Sequence, residues 1–107
     1  MEFSQWPVPN KTEDIPRIVE EVTSSFLRQA RASTEFGVAS EKYSIEQFVG
    51  EQCQGSFVTF EMTGYRTNMV EAIFVMSVGG KLWNGQFSGP SDAWRQALTV
   101  LRGVKHG

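Results

Sequence analysis

The sequence predicts an α+β fold, a three-stranded antiparallel meander with helices packed on one face, in the order α-α-β-β-β-α. Three observations predict it. Apolar residues recur at three- and four-residue spacing near both ends of the chain. The period shortens to two between Ser56 and Ser88, and Gly79-Gly80 places a hairpin signal inside that alternating stretch. Elements with one apolar side must bury it against each other, which makes helices on a sheet the natural layering. With 107 residues, the chain reads as one domain over 1–107, with residues 1–11 as an extended N-terminal arm.

The arm is extended because Pro7 and Pro9 exclude a helix or a central strand, and Trp6 then serves as an anchor laid on the domain. A first helix follows, capped by Asp14 or Thr12, with Pro16 in its first turn. Ile15, Ile18, Val19, Val22, Phe26 and Ala30 form its apolar stripe. Its acidic residues lie early and Arg28 and Arg31 late, as the helix dipole favours. Residues 32–42 connect onward, with a short extended piece at Phe36-Gly37-Val38. A second helix is expected from Ser44, where Gln47 completes a capping box, with Ile45, Phe48, Val49 and Cys53 on one side and Gly55 at its end. Gly50 weakens that helix by about 1 kcal/mol relative to alanine.

Three strands are expected at Phe57–Thr63, Met69–Val78 and Lys81–Ser88. The Gly79-Gly80 turn sets Val78 opposite Lys81, Met76 opposite Trp83 and Ala72 opposite Phe87. With Thr63 opposite Met69, Phe60 meets Ala72 and Val58 meets Phe74. That register collects Val58, Phe60, Met62, Val70, Ala72, Phe74, Met76, Val78, Trp83 and Phe87 on one core face. The last helix opens at Pro90 with Asp92 in its first turn, and Ala93, Trp94, Ala97, Leu98 and Leu101 line its stripe.

The same register exposes a second sheet face with two unusual features. Phe57, Ile73, Val75 and Leu82 cluster there into an apolar patch, a usual mark of association. Glu61 sits directly across from Glu71, a mildly destabilising pair on an open sheet. Three readings of this face stand open: burial against a second copy of the chain, burial under the second helix or the N-terminal arm, or a shallow ligand site. In the last, Glu61 and Glu71 receive a cation or divide acid and base roles, with Tyr65, Arg66 or Asn84 nearby.

Composition narrows the chemistry. Ten Lys and Arg oppose twelve Asp and Glu, for a formal charge of −2, and this near balance disfavours nucleic-acid binding. One cysteine excludes an internal disulfide or a Cys-built zinc site. Cys53 reads as a buried small hydrophobe, because the one histidine, His106, lies in a terminal tail. Gly79-Gly80-Lys81 lacks the spacing of a phosphate loop, and Pro90 removes a donor from the last helix N-terminus. No stretch reads as a secretory leader or a membrane span, so a cytoplasmic location is expected and Asn10-Lys11-Thr12 reads as a helix lead-in rather than a glycosylation acceptor. The leading expectation is a small non-enzymatic interaction or binding module, without cofactor or metal. It self-associates as a homodimer through Phe57, Ile73, Val75 and Leu82, and a heterologous protein is a second possible partner. The rival is a small-ligand protein or minor enzyme using Glu61 and Glu71.

Overall fold

A computed structural model describes residues 14–64 and 68–104 in full and residues 2–5 as backbone. Trp6, Pro7, Pro9, Thr12, Tyr65, Arg66, Lys105 and His106, which carry several of the expectations above, lie outside the described residues. The fold is α+β, built on an antiparallel sheet with two helices. In chain order the elements are β1 (Glu2–Gln5), α1 (Ile15–Ala32), β2 (Gly37–Val38), β3 (Glu46–Val49), β4 (Cys53–Thr63), β5 (Met69–Val78), β6 (Lys81–Pro90) and α2 (Ser91–Arg102). The sheet runs β1-β6-β5-β4-β2, and β3 shares the outer flank of β4 with β2. β3 pairs with the Gln54–Phe57 end of β4, and β2 pairs with its Met62–Thr63 end.

The long helices and central strands follow the sequence closely. Ile15, Ile18, Val19, Phe26 and Ala30 of α1 are buried, joined by Thr23 and Leu27. Pro16 sits in its first turn, where its missing N–H costs nothing. In α2 the stripe of Trp94, Ala97 and Leu101 is buried and Asp92 occupies the first turn. That helix begins at Ser91, because β6 continues through Pro90. Gly79 and Gly80 take φ of 59° and 79°, the left-handed pair that a tight hairpin requires. The β5–β6 register is the expected one, with Val78 opposite Lys81, Met76 opposite Trp83 and Ala72 opposite Phe87.

Three expectations are corrected. Residues 46–49 and 54–57 pair as a β hairpin in place of the second helix. The Gly50 N–H donates to the Cys53 carbonyl at 2.9 Å to close its turn. Gly50 and Gly55 are there for close approach. A Cβ on Gly50 would lie 1.9 Å from the Arg102 carbonyl oxygen, and one on Gly55 would lie 2.7 Å from the Phe48 ring. The sheet is accordingly wider than three strands.

The β4–β5 register is shifted by one residue. Met62 faces Met69, Phe60 faces Glu71, Val58 faces Ile73 and Phe57 faces Phe74. Paired residues share a face in an antiparallel ladder, so this shift moves every β4 side chain to the opposite side. Val58, Phe60 and Met62 therefore part from Phe74 and Phe87.

The helices also lie on both faces. Ile15, Ile18, Val19, Phe26 and Leu27 of α1 pack on Val58, Phe60, Ile73, Val75 and Leu82. Trp94, Ala97 and Leu101 of α2 pack on Phe48, Phe57, Ala72, Phe74, Met76 and Val78. Trp94 gathers an aromatic cluster, its ring 5.4 Å from Phe57, 5.5 Å from Phe87 and 6.2 Å from Phe74. The molecule is a helix–sheet–helix sandwich with two cores.

Candidate functional site

This layering settles where the sequence-predicted patch goes. Ile73, Val75 and Leu82 are buried beneath α1, and Phe57 is buried on the other face beside Trp94. The four residues neither share a face nor meet solvent, so they form no interaction patch. The chain covers that face itself, with α1.

The carboxylate pair is separated by the same shift. Glu61 faces Val70 on the α2 side and is exposed. Glu71 faces Phe60 and Ser88 on the α1 side and is only 7 % exposed. There the Ser88 hydroxyl donates to the Glu71 carboxylate, an arrangement that satisfies a buried charge. Asn84 is half-buried on the α1 side of β6, opposite Ser4 of β1. Glu61 and Glu71 thus point away from each other through the sheet and cannot share a ligand. Cys53 is buried as expected, although on a strand, and its thiol donates to the Leu101 carbonyl at 3.2 Å. That carbonyl also accepts from the Val104 N–H at 3.2 Å, so Cys53 ties the start of β4 to the turn that closes α2.

Concave surface among the described residues is found around β3 and the turn after it. A groove of about 450 Å³ opens on the α1 side, lined by Ile15, Pro16, Gln47, Val49, Gln54 and Ser56 together with Phe48 and Gly55. Among the described residues its lining carries no charged side chain. On the other side of the turn, Val49, Gly50 and Glu51 meet Arg102, Gly103 and Val104 across a depression of about 560 Å³. A third, of about 310 Å³, runs from Val49 to Gln54 and reaches Ser77 and Gly79. All three share Val49, which is 69 % exposed.

The backbone phase of β3 adds a second property. Gly50 and Cys53 form a hydrogen-bonded pair, and such pairs alternate along an antiparallel ladder. Phe48 and Glu46 therefore bond β4, whereas the N–H and C=O groups of Gln47 and Val49 point outward from the sheet. The Ala39 N–H donating to the Glu61 carbonyl at 2.9 Å keeps the same phase along β4. The helical pattern expected over Gln47 and Val49 gives no hint of this edge. The signal against a helix is the pair Gly50 and Gly55, five residues apart, together with the β-branched Val49 just before them.

Fold and edge together define a small α+β sandwich whose hairpin strand adjoins a groove with no charged side chain among its described lining residues. Compared with family models, curated proteins and solved structures, the chain matches none. Among the described residues no group of three or more His, Cys, Asp and Glu side chains is placed to hold a metal ion. No described helix is long and apolar enough to cross a membrane.

Proposed function

We propose that the chain is a small non-enzymatic interaction module whose partner surface is the β3 edge and the turn that follows it. The observation that carries this reading is Val49, a large aliphatic side chain left exposed where three depressions meet. An open strand edge adds hydrogen-bonding groups that a partner's extended backbone can satisfy, and a neighbouring groove supplies a pocket for its side chains. The polar groups expected to do chemistry support the same choice by being apart. Glu61 and Glu71 lie on opposite faces, and Cys53 is occupied with the end of α2.

Site-directed photo-crosslinking tests the proposal. A photoreactive residue at position 49 should yield covalent protein adducts in cells of the source organism. The same residue at Gln96, exposed on the outer side of α2, should not. Adducts that are absent at position 49, or equally abundant at both positions, would defeat the assignment.

A further inference from the structure

We propose that the partner strand is β3 of a second copy of this chain, paired antiparallel so that one sheet continues across a two-fold axis at Gln47. The inference rests on the reading of the β3 edge as a partner surface and adds the identity of the occupant.

Hydrogen-bond phase is the first support. The outward-pointing groups belong to alternate residues, Gln47 and Val49. An antiparallel partner must present its own outward groups at the same alternation, and a second β3 does so without any adjustment. With the axis at Gln47, that residue faces Gln47 of the second copy, and each Val49 faces Ile45 of the other.

Side-chain and charge fit are the second. Like charges directly opposite each other destabilise a strand pair. In this register Glu46, the one charged residue of β3, faces Phe48 of the second copy, so no charges are opposed. Val49, Gln47, Gln54 and Ser56 share the α1 side, where the described lining of the groove carries no charged side chain. Val49 of each copy gains an apolar neighbour in place of water, beside the Ile15 and Pro16 wall of the groove. The β3 edge itself bears no proline or lysine of the kind that blocks edge pairing.

The strand is short, so the contact falls below the roughly 1,000 Å² typical of stable complexes and the dimer is a weak one. Sedimentation across a concentration series up to about 1 mM covers that range of affinity. The expected result is a shift from the 12.0 kDa monomer toward twice that mass and no further. Gln47→Pro removes one outward N–H and none of the bonds between β3 and β4. It should weaken dimerisation roughly tenfold or more while leaving the circular dichroism spectrum unchanged, as for the loss of a buried hydrogen-bonded pair.

Amide hydrogen exchange on the unaltered chain is independent of whether that variant folds. Gln47 and Val49 should become protected as concentration rises, while Phe48 is protected throughout. A monomer at every concentration overturns self-pairing, and crosslinks at position 49 then decide separately whether a different protein is the partner. A dimer insensitive to Gln47→Pro, mass growing beyond the dimer, or unchanged exchange at Gln47 and Val49 also overturns it.

Discussion

Thr23 shows how little polar material these cores contain and what each piece costs. It lies on the buried side of α1, fully inaccessible, and its hydroxyl has no hydrogen-bond partner. A buried hydroxyl without a partner forfeits its hydration, at a cost of about 1–3 kcal/mol. Thr23→Val preserves the branched shape and removes the hydroxyl. It should raise the unfolding free energy by about 1 kcal/mol, read from the urea midpoint at unchanged slope. A loss of stability would show that the hydroxyl is satisfied in solution. Glu71 is the contrasting case, equally a polar group on the α1 side but bonded by Ser88. Thr23 escaped the sequence pattern because threonine counts as polar, although it falls at a spacing that belongs to the stripe of Ile15, Val19, Phe26 and Ala30.

Among the elements, α1, β5 and α2 were legible because each is long and its period is unambiguous, whereas β3 was not. Four residues cannot display a period, and Ser44 and Gln47 supplied a capping box that no helix uses. What forms β3 is tertiary: Phe48 stacks over Gly55, and the turn at Gly50 abuts the C-terminal end of α2. The segment between α1 and β3 is held differently, by an ion pair at the surface. Arg31, in the last turn of α1, donates from Nε to Glu41 Oε1 at 2.9 Å, and its Nη2 bonds the same oxygen. The Arg31 hydrogen bonds hold the Glu41 carboxyl below the ordinary carboxylate range. A carboxyl depressed on folding stabilises the native state above its unfolded pKa, about 4.3, and loses that contribution as pH falls through the lower folded value. Both side chains are exposed, so the effect is modest and screened by salt. Glu41→Gln should therefore lower the urea midpoint slightly at pH 7 and by less in strong acid, as wild-type Glu41 takes up its own proton. An equal loss at both pH values would assign the effect to something other than the ion pair.

For the molecule as a whole, the two-faced sheet explains both the apolar surplus and the misplaced register. A sheet buried on one side alternates apolar and polar residues, whereas one buried on both sides reads as a continuous apolar run. Ala72-Ile73-Phe74-Val75-Met76 in β5 is such a run, and all five are buried. The expected register divides this run into one core face and one exposed patch, an arrangement in which a one-residue slip would carry the core set into water. That penalty holds only where the other face meets water. With α1 and α2 on opposite sides, either register buries apolar side chains, and the β4–β5 pairing is decided by how Val58 and Phe60 meet α1 while Phe57 meets Trp94. The two architectures differ in a measurable way at adjacent residues of β5. Were one face open, Phe74→Ala would be severe and Ile73→Ala nearly neutral. With both faces buried, Ile73→Ala should cost about 2–5 kcal/mol and Phe74→Ala about 3–5 kcal/mol. Two such losses in one small domain approach its whole stability, so urea unfolding of each single variant is the practical measurement. Near-neutral behaviour of Ile73→Ala would place α1 off the sheet and return that face to solvent. A loss comparable to that of Phe74→Ala would confirm that α1 is the cover of that face.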